Sequence, residues 1–418
     1  MIKSTFFRQS GWMVFSSAVF GILMTAIHKV ANNMGKAEYG VFNAMLLWVS
    51  QTGALSIGLQ LAFAQQTANE LETGKRAEIA SSLRAVVSGL VVLLLLGAGA
   101  VFLFKEDLLT GFKINNPVTL WLTLLTAFMS LLVPTLWGVL QGRQDFLWLG
   151  WATMLNGLAR CATIAGGVII FGWKAAGAVS GVLLGLVVAA IISFWQIRDL
   201  LRGPSVSFHW LPWLKRVIPI TLAMGSITFL LTQDGLVVQR NFSAEVAGTY
   251  APVGIIGRAL FFFTAPLTVV LFPKLVQSAT RSEKSSVLAQ AMGATCLMGG
   301  GAALICTLFP KLPVWVLYKP DFYPIASLVP LFGWCVLPLT LSTVLVNNLL
   351  ARQRFAVVPW LVAVAVGYGV ALQYRHDSFK QVIHTLGIFG LLLLAGCIVC
   401  TWWGQRPTKT PSAERLTG

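Results

Sequence analysis

"PVGIIGRALFFFTAP", residues 252–266, carries a single charge, Arg258, in the middle of an otherwise apolar run. A charge at the centre of a bilayer costs about 3 kcal/mol even on insertion-based scales, so such a residue needs a reason to be there. Outward from Arg258 the apolar run extends over 246–273, and the rest of the chain has the same character. Of 418 residues, 56% are hydrophobic and 11% charged, and the mean hydropathy is +0.78. A soluble domain carries roughly 25% charged residues. The composition is that of an all-α polytopic membrane protein.

A membrane-crossing helix needs about 20 mostly apolar residues. Twelve segments meet that requirement: 9–31, 39–64, 80–104, 117–140, 146–171, 174–198, 215–239, 246–273, 286–310, 322–349, 355–374 and 382–403. An internal repeat divides them. "GRQDF" at 142–146 returns as "ARQRF" at 351–355, an offset of 209, and "AEYGVF" at 37–42 is echoed by "AEVAGTY" at 244–250, where Gly40 aligns with Gly248 at an offset of 208. Each pair falls at the same place in a set of six spans. An even number of spans per repeat makes the two halves parallel, related by an axis along the membrane normal. The expected organisation is an N-terminal six-helix bundle over 1–205, a C-terminal one over 206–404, and a disordered cytoplasmic tail over 405–418.

The formal charge is +16, from 30 basic and 14 acidic residues. In a membrane protein such an excess orients loops, and with no soluble segment long enough to fold a domain it does not indicate nucleic acid. Of the 30 basic residues, 18 fall on the side of the N-terminus, 10 on the opposite side, and two, Arg160 and Arg258, inside spans. Both termini are therefore expected in the cytoplasm. "MIKSTFFRQSGWMVF" opens like a signal peptide but runs on past Ile27 without a small-residue cleavage site, so it reads as an uncleaved first span. The six cysteines all lie in apolar runs. Cys397 and Cys400 have redox-motif spacing, but within a span they read as buried hydrophobes.

At 1.5 Å rise per residue, Arg258 lies roughly 18 Å into the eighth span and Arg160 roughly 21 Å into the fifth from the other side. Two guanidinium groups thus reach similar depth from different halves. They line a hydrated cavity and hold an anion, since a planar fork suits phosphate, or else they are structural, capping carbonyls or pairing with Asp234. Lys29, beside His28 near the end of the first span, is a third candidate ligand or a snorkelling interface residue. Asp234 in "FLLTQDGLVVQR" reads as a proton or cation relay or as a structural partner of an arginine. Gln51, with Asn43, Ser56 and Gln60, reads as cavity-facing or as bonding between helices. No metal-ligand spacing, Walker motif or catalytic triad is present, and the carboxylates are too few and scattered for glycosyl chemistry.

"AEYGVFNAMLLWVSQ" after the first span, "QDGLVVQRNFSAEVAGTYAPVGIIGRAL" across the seventh and eighth, and "LFPKL" at 271–275, on twelve spans in parallel halves, resemble the polysaccharide-export flippases of the MOP superfamily. Lipid II flippases and the MATE multidrug exporters are relatives. The resemblance implies a MATE-like fold and a flippase, not an enzyme, in the bacterial inner membrane, without cofactor but with possible coupling to protons or sodium. Its cargo would be a polyprenyl-diphosphate-linked oligosaccharide, an O-antigen, capsule or exopolysaccharide repeat unit. Arg258, Arg160 and Lys29 would bind it, and Asp234 and Gln51 would serve coupling or structure. Membrane lipids, a polysaccharide polymerase and a chain-length regulator are the implied partners, and nucleic acid is not. Twelve spans lack the two further helices of the lipid II branch, which favours repeat-unit cargo. A MATE-like drug or cation antiporter is the competing reading, and it would favour acidic residues over arginines in the cavity. A membrane-embedded glycosyltransferase or polymerase would need clustered carboxylates or a large outer loop.

Overall fold

The computed structural model describes residues 2–72, 76–201, 206–264, 286–352 and 354–403. The regular structure of these residues is helical, with fourteen α-helices and no strand among them. In chain order they are α1 (Ile2–Ala31), α2 (Lys36–Glu72), α3 (Arg76–Leu103), α4 (Lys105–Gly111), α5 (Val118–Gly142), α6 (Phe146–Phe171), α7 (Ala175–Leu201), α8 (Trp210–Asn241), α9 (Ala244–Phe263), α10 (Ser286–Leu308), α11 (Lys311–Leu317), α12 (Leu328–Ala351), α13 (Val358–Tyr374) and α14 (Phe379–Trp403). Among the described residues eleven segments are long and apolar enough to cross a membrane, and α1, at 30 residues, adds a twelfth of spanning length. Helices suit that solvent because they satisfy their backbone polar groups internally.

The twelve expected spans match these helices, with shifted ends. The second runs on to Glu72, and the described part of the eighth stops at Phe263. The rest of the expected eighth span and "LFPKL" lie outside the described residues. So does the expected tail, 405–418, and residues 202–205 beside the expected break between halves are not described either. The two seven-residue helices, α4 and α11, were not expected. Both sit at the end of the bundle away from the N-terminus. Between α6 and α7 the turn chemistry is local: Gly172 at φ 63° lets the chain pass from one to the other within three residues.

The helices pair in a repeated pattern. Among the first six long helices the main contacts are α1–α6, α2–α5, α3–α5, α5–α7 and α6–α7. Among the last six they are α8–α13, α9–α12, α10–α12, α12–α14 and α13–α14, the same scheme moved along by six spans. The offset of 208 to 209 residues in the sequence thus has a counterpart in the packing. Between the two sets, α2 packs along α8 and crosses α9. The largest buried cluster follows this seam, through Phe42 and Met45 of α2, Leu231 of α8 and Tyr250 of α9.

Candidate functional site

Arg258 does not stand alone in its apolar run. Its guanidinium Nη2 donates to Asp234 Oδ1 on α8 at 2.8 Å, and its Nε donates to the Leu231 carbonyl at 2.8 Å. Asp234 is fully buried, and its other oxygen accepts a 2.8 Å hydrogen bond from the Tyr250 hydroxyl. Tyr250, Gly254 and Arg258 are spaced four residues apart on α9, so they share one side of the helix. A helical side chain leans toward its N-terminus, so Arg258 folds back over Gly254. A Cβ at Gly254 would lie 3.1 Å from the guanidinium carbon and 3.2 Å from Nη2. Glycine at 254 is therefore what makes room for the ion pair. Tyr368 on α13 lies within electrostatic range of the same pair, with its buried hydroxyl unpartnered, and Arg258 Nη1 is likewise buried without a partner.

Arg160, on α6, belongs to a different cluster. Its Nη1 meets the Met24 sulfur of α1 at 3.2 Å, while its Nε and the nearby Asn156 Oδ1 are buried without partners. Gly185 of α7 admits the two side chains, since a Cβ there would stand 2.7 Å from Asn156 Oδ1 and 3.0 Å from Arg160 Cβ. Among the described residues no carboxylate pairs with Arg160. A weak sulfur acceptor leaves the positive charge uncompensated inside the bundle.

His28 connects the two clusters. It lies on α1 one turn beyond Met24, within electrostatic range of both arginines. Its Nδ1 is 3.2 Å from the Tyr39 hydroxyl, which in turn is 3.0 Å from the hydroxyl of Tyr318. Lys29 points elsewhere: it is exposed, on the stripe of α1 that also carries Phe15, Ile22 and Thr25. Gln51 donates to Gln233 Oε1 at 2.9 Å and so joins α2 to α8. Of the five residues singled out from sequence, the structure thus pairs Arg258 with Asp234 and sets Arg160, Lys29 and Gln51 apart from them. His28, Tyr39, Tyr318 and Tyr368 were not picked as site residues. For Tyr39 and Tyr368 a tyrosine inside an apolar span was the available signal, because a buried phenol seeks a partner for its hydroxyl, whereas Tyr318 falls between the expected spans. No cluster of metal-ligating side chains occurs among the described residues.

No curated protein matches the sequence. Among solved structures, the chain resembles an inward-facing multidrug-resistance transporter of the MATE family and MOP superfamily at 12% identity, covering 92% of this chain and 93% of that one with a TM-score of 0.74. It resembles the lipid II flippase MurJ, in an inward closed conformation, at 13% identity over 94% and 87% of the two chains, TM-score 0.69. An outward-facing MATE transporter matches at 14% identity over 95% and 93%, TM-score 0.62. At such identities the likeness establishes the fold, which is that of MATE transporters and MurJ. Residues 10–279, well over half of the sequence, match the family model described as polysaccharide biosynthesis protein. On that match the chain belongs to the polysaccharide biosynthesis protein family.

Proposed function

We propose that this chain moves a polyprenyl-diphosphate-linked oligosaccharide from the cytoplasmic to the outer face of a bacterial inner membrane by alternating access, with both termini in the cytoplasm. The observation that carries the reading is Arg160, a guanidinium inside the bundle with a buried, unpartnered Nε and no carboxylate partner among the described residues. A charge is retained at such a position when a ligand supplies its counter-ion, and a diphosphate can accept both arms of the guanidinium fork. His28 and exposed Lys29 lie further along toward the outer end of the neighbouring α1. The polar headgroup would travel between the halves while the polyprenyl chain stays in lipid.

Arg258 has a different place in this scheme. Asp234 already neutralises it, so its role here is to hold α8 to α9, and the cation that meets the cargo is Arg160. The same ion pair weighs against the drug or cation antiporter suggested by the fold. A cation carrier needs a free buried carboxylate, and Asp234 is occupied by Arg258 and Tyr250. A chain built almost wholly of spanning helices also fits a carrier. In cells lacking the cognate flippase, the parent chain should restore glycan export and Arg160→Ala, at equal membrane level, should not. Full export by Arg160→Ala would remove the phosphate-ligand role.

A further inference from the structure

Gly40 and Gly248, the two residues that the internal repeat aligns, touch each other. A Cβ on Gly40 would lie 3.0 Å from both the Cα and the N of Gly248 and 2.8 Å from Gln239 Oε1, and a Cβ on Gly248 would overlap the Lys36 carbonyl. Equivalent residues of two repeats meet where the axis relating them passes, as in any isologous contact. At this point α2 and α9 cross backbone against backbone, which only small residues allow between membrane helices.

Several further bonds at this end of the bundle run between the first six spans and the last six. The Tyr39 and Tyr318 hydroxyls are 3.0 Å apart. Lys113, just after α4, donates to the carbonyls of Gln239 and Arg240 at 2.7 and 2.8 Å, and Gln239 Nε2 returns a 3.1 Å bond to the Phe112 carbonyl. Toward the N-terminal end α2 stays against α8, where a Cβ on Gly58 would overlap Thr221 Oγ1 and the rings of Phe63 and Trp213 meet at 6.2 Å, but among the described residues α9 loses its cover. On α9 the buried positions end at Arg258, apart from Thr264 just past the helix, and Phe262 and Phe263 are exposed.

We infer that the Gly40–Gly248 crossing is the gate that closes the far end of the central cavity, and that it closes fully only with glycine at both positions. In a state open at that end α2 and α9 must separate, and a methyl group there would meet nothing. The methyl therefore acts only on the closed state, and a group that acts on one state alone shifts the equilibrium toward the other. The inference rests on the alternating-access reading above but not on the identity of the cargo.

The test is sided labelling. Ser50, exposed on α2, is the residue that an offset of 208 aligns with Arg258, so Ser50→Cys places an exposed thiol on the helix that crosses α9, ten residues beyond Gly40. Labelling by a membrane-impermeant maleimide is compared in right-side-out and inverted vesicles, with the parent chain giving the signal of the native cysteines. Adding Gly248→Ala should raise labelling from the far side by roughly tenfold and lower it from the near side. Unchanged labelling from both sides would overturn the gate. If Gly248→Ala does not accumulate in the membrane, Gly40→Ala, whose methyl group meets a flexible glutamine as well as backbone, decides by the same criterion. Labelling involves no cargo, so a shift in a chain that exports no glycan would keep the gate and sink the substrate reading. Normal glycan export with unshifted labelling would do the reverse.

Discussion

Arg258 and Asp234 meet at 2.8 Å across the α8–α9 contact, one guanidinium arm on one carboxylate oxygen, with Tyr250 holding the other. Asp234 is wholly inside the protein and the Arg258 side chain is 9% exposed. Removing one partner of such a pair leaves a buried charge unbalanced, which costs about 3–5 kcal/mol, whereas removing both costs far less. Arg258→Met and Asp234→Asn should each lower the melting temperature in detergent. The double variant should be more stable than the two losses added together. Additive losses in thermal unfolding would mean that the two residues act independently.

Arg160 should behave in the opposite way. Among the described residues no carboxylate depends on it, so Arg160→Met should leave thermal stability unchanged or raise it while glycan export is lost. Residues held for function at the expense of stability show this pattern. A melting temperature that falls as far as in Arg258→Met would make Arg160 a structural residue.

How much of this was legible in the sequence depends on the kind of signal. The apolar runs, the two interior arginines and the Gly40–Gly248 alignment are local or periodic, and they led to twelve helices in two similar sets. The ion pair was visible only as one of several possibilities, because Asp234 and Arg258 lie 24 residues apart on different helices. Nothing in the spacing says that α8 and α9 bring them together. Lys29 was the candidate on the first span and His28 only its neighbour, but neighbouring residues on a helix point about 100° apart. The face of α1 turned toward the arginines is the one bearing Met24 and His28. Tyr39, Tyr318 and Tyr368 draw their importance from burial and from tertiary partners, neither of which the sequence shows.

Tyr318→Phe removes one hydroxyl from the bond to Tyr39 without changing volume, and Tyr39 keeps its contact with His28. A neutral hydrogen bond of this kind is worth about 0.5–1.5 kcal/mol, so the closed far end should weaken roughly two- to tenfold. The readout is far-side labelling of Ser50→Cys, which should rise less than with Gly248→Ala. No rise would show that the tyrosine pair does not contribute to closure.

An even number of spans returns the chain to its starting side. Reporter fusions after Gly418 and within the Arg375–Lys380 turn should therefore report opposite faces, with Gly418 in the cytoplasm. Two fusions on one face would contradict the arrangement of the last six helices.

Translocation itself can be followed in proteoliposomes containing a polyprenyl-diphosphate-linked oligosaccharide, with a membrane-impermeant glycosidase scoring which headgroups have crossed. The parent chain should transfer the headgroup to the opposite leaflet. Arg160→Ala should slow transfer roughly ten- to a hundredfold, the loss expected when one charged hydrogen bond to phosphate is removed. No transfer by the parent chain, with uptake of an organic cation by the same vesicles, would contradict the flippase reading and favour an antiporter.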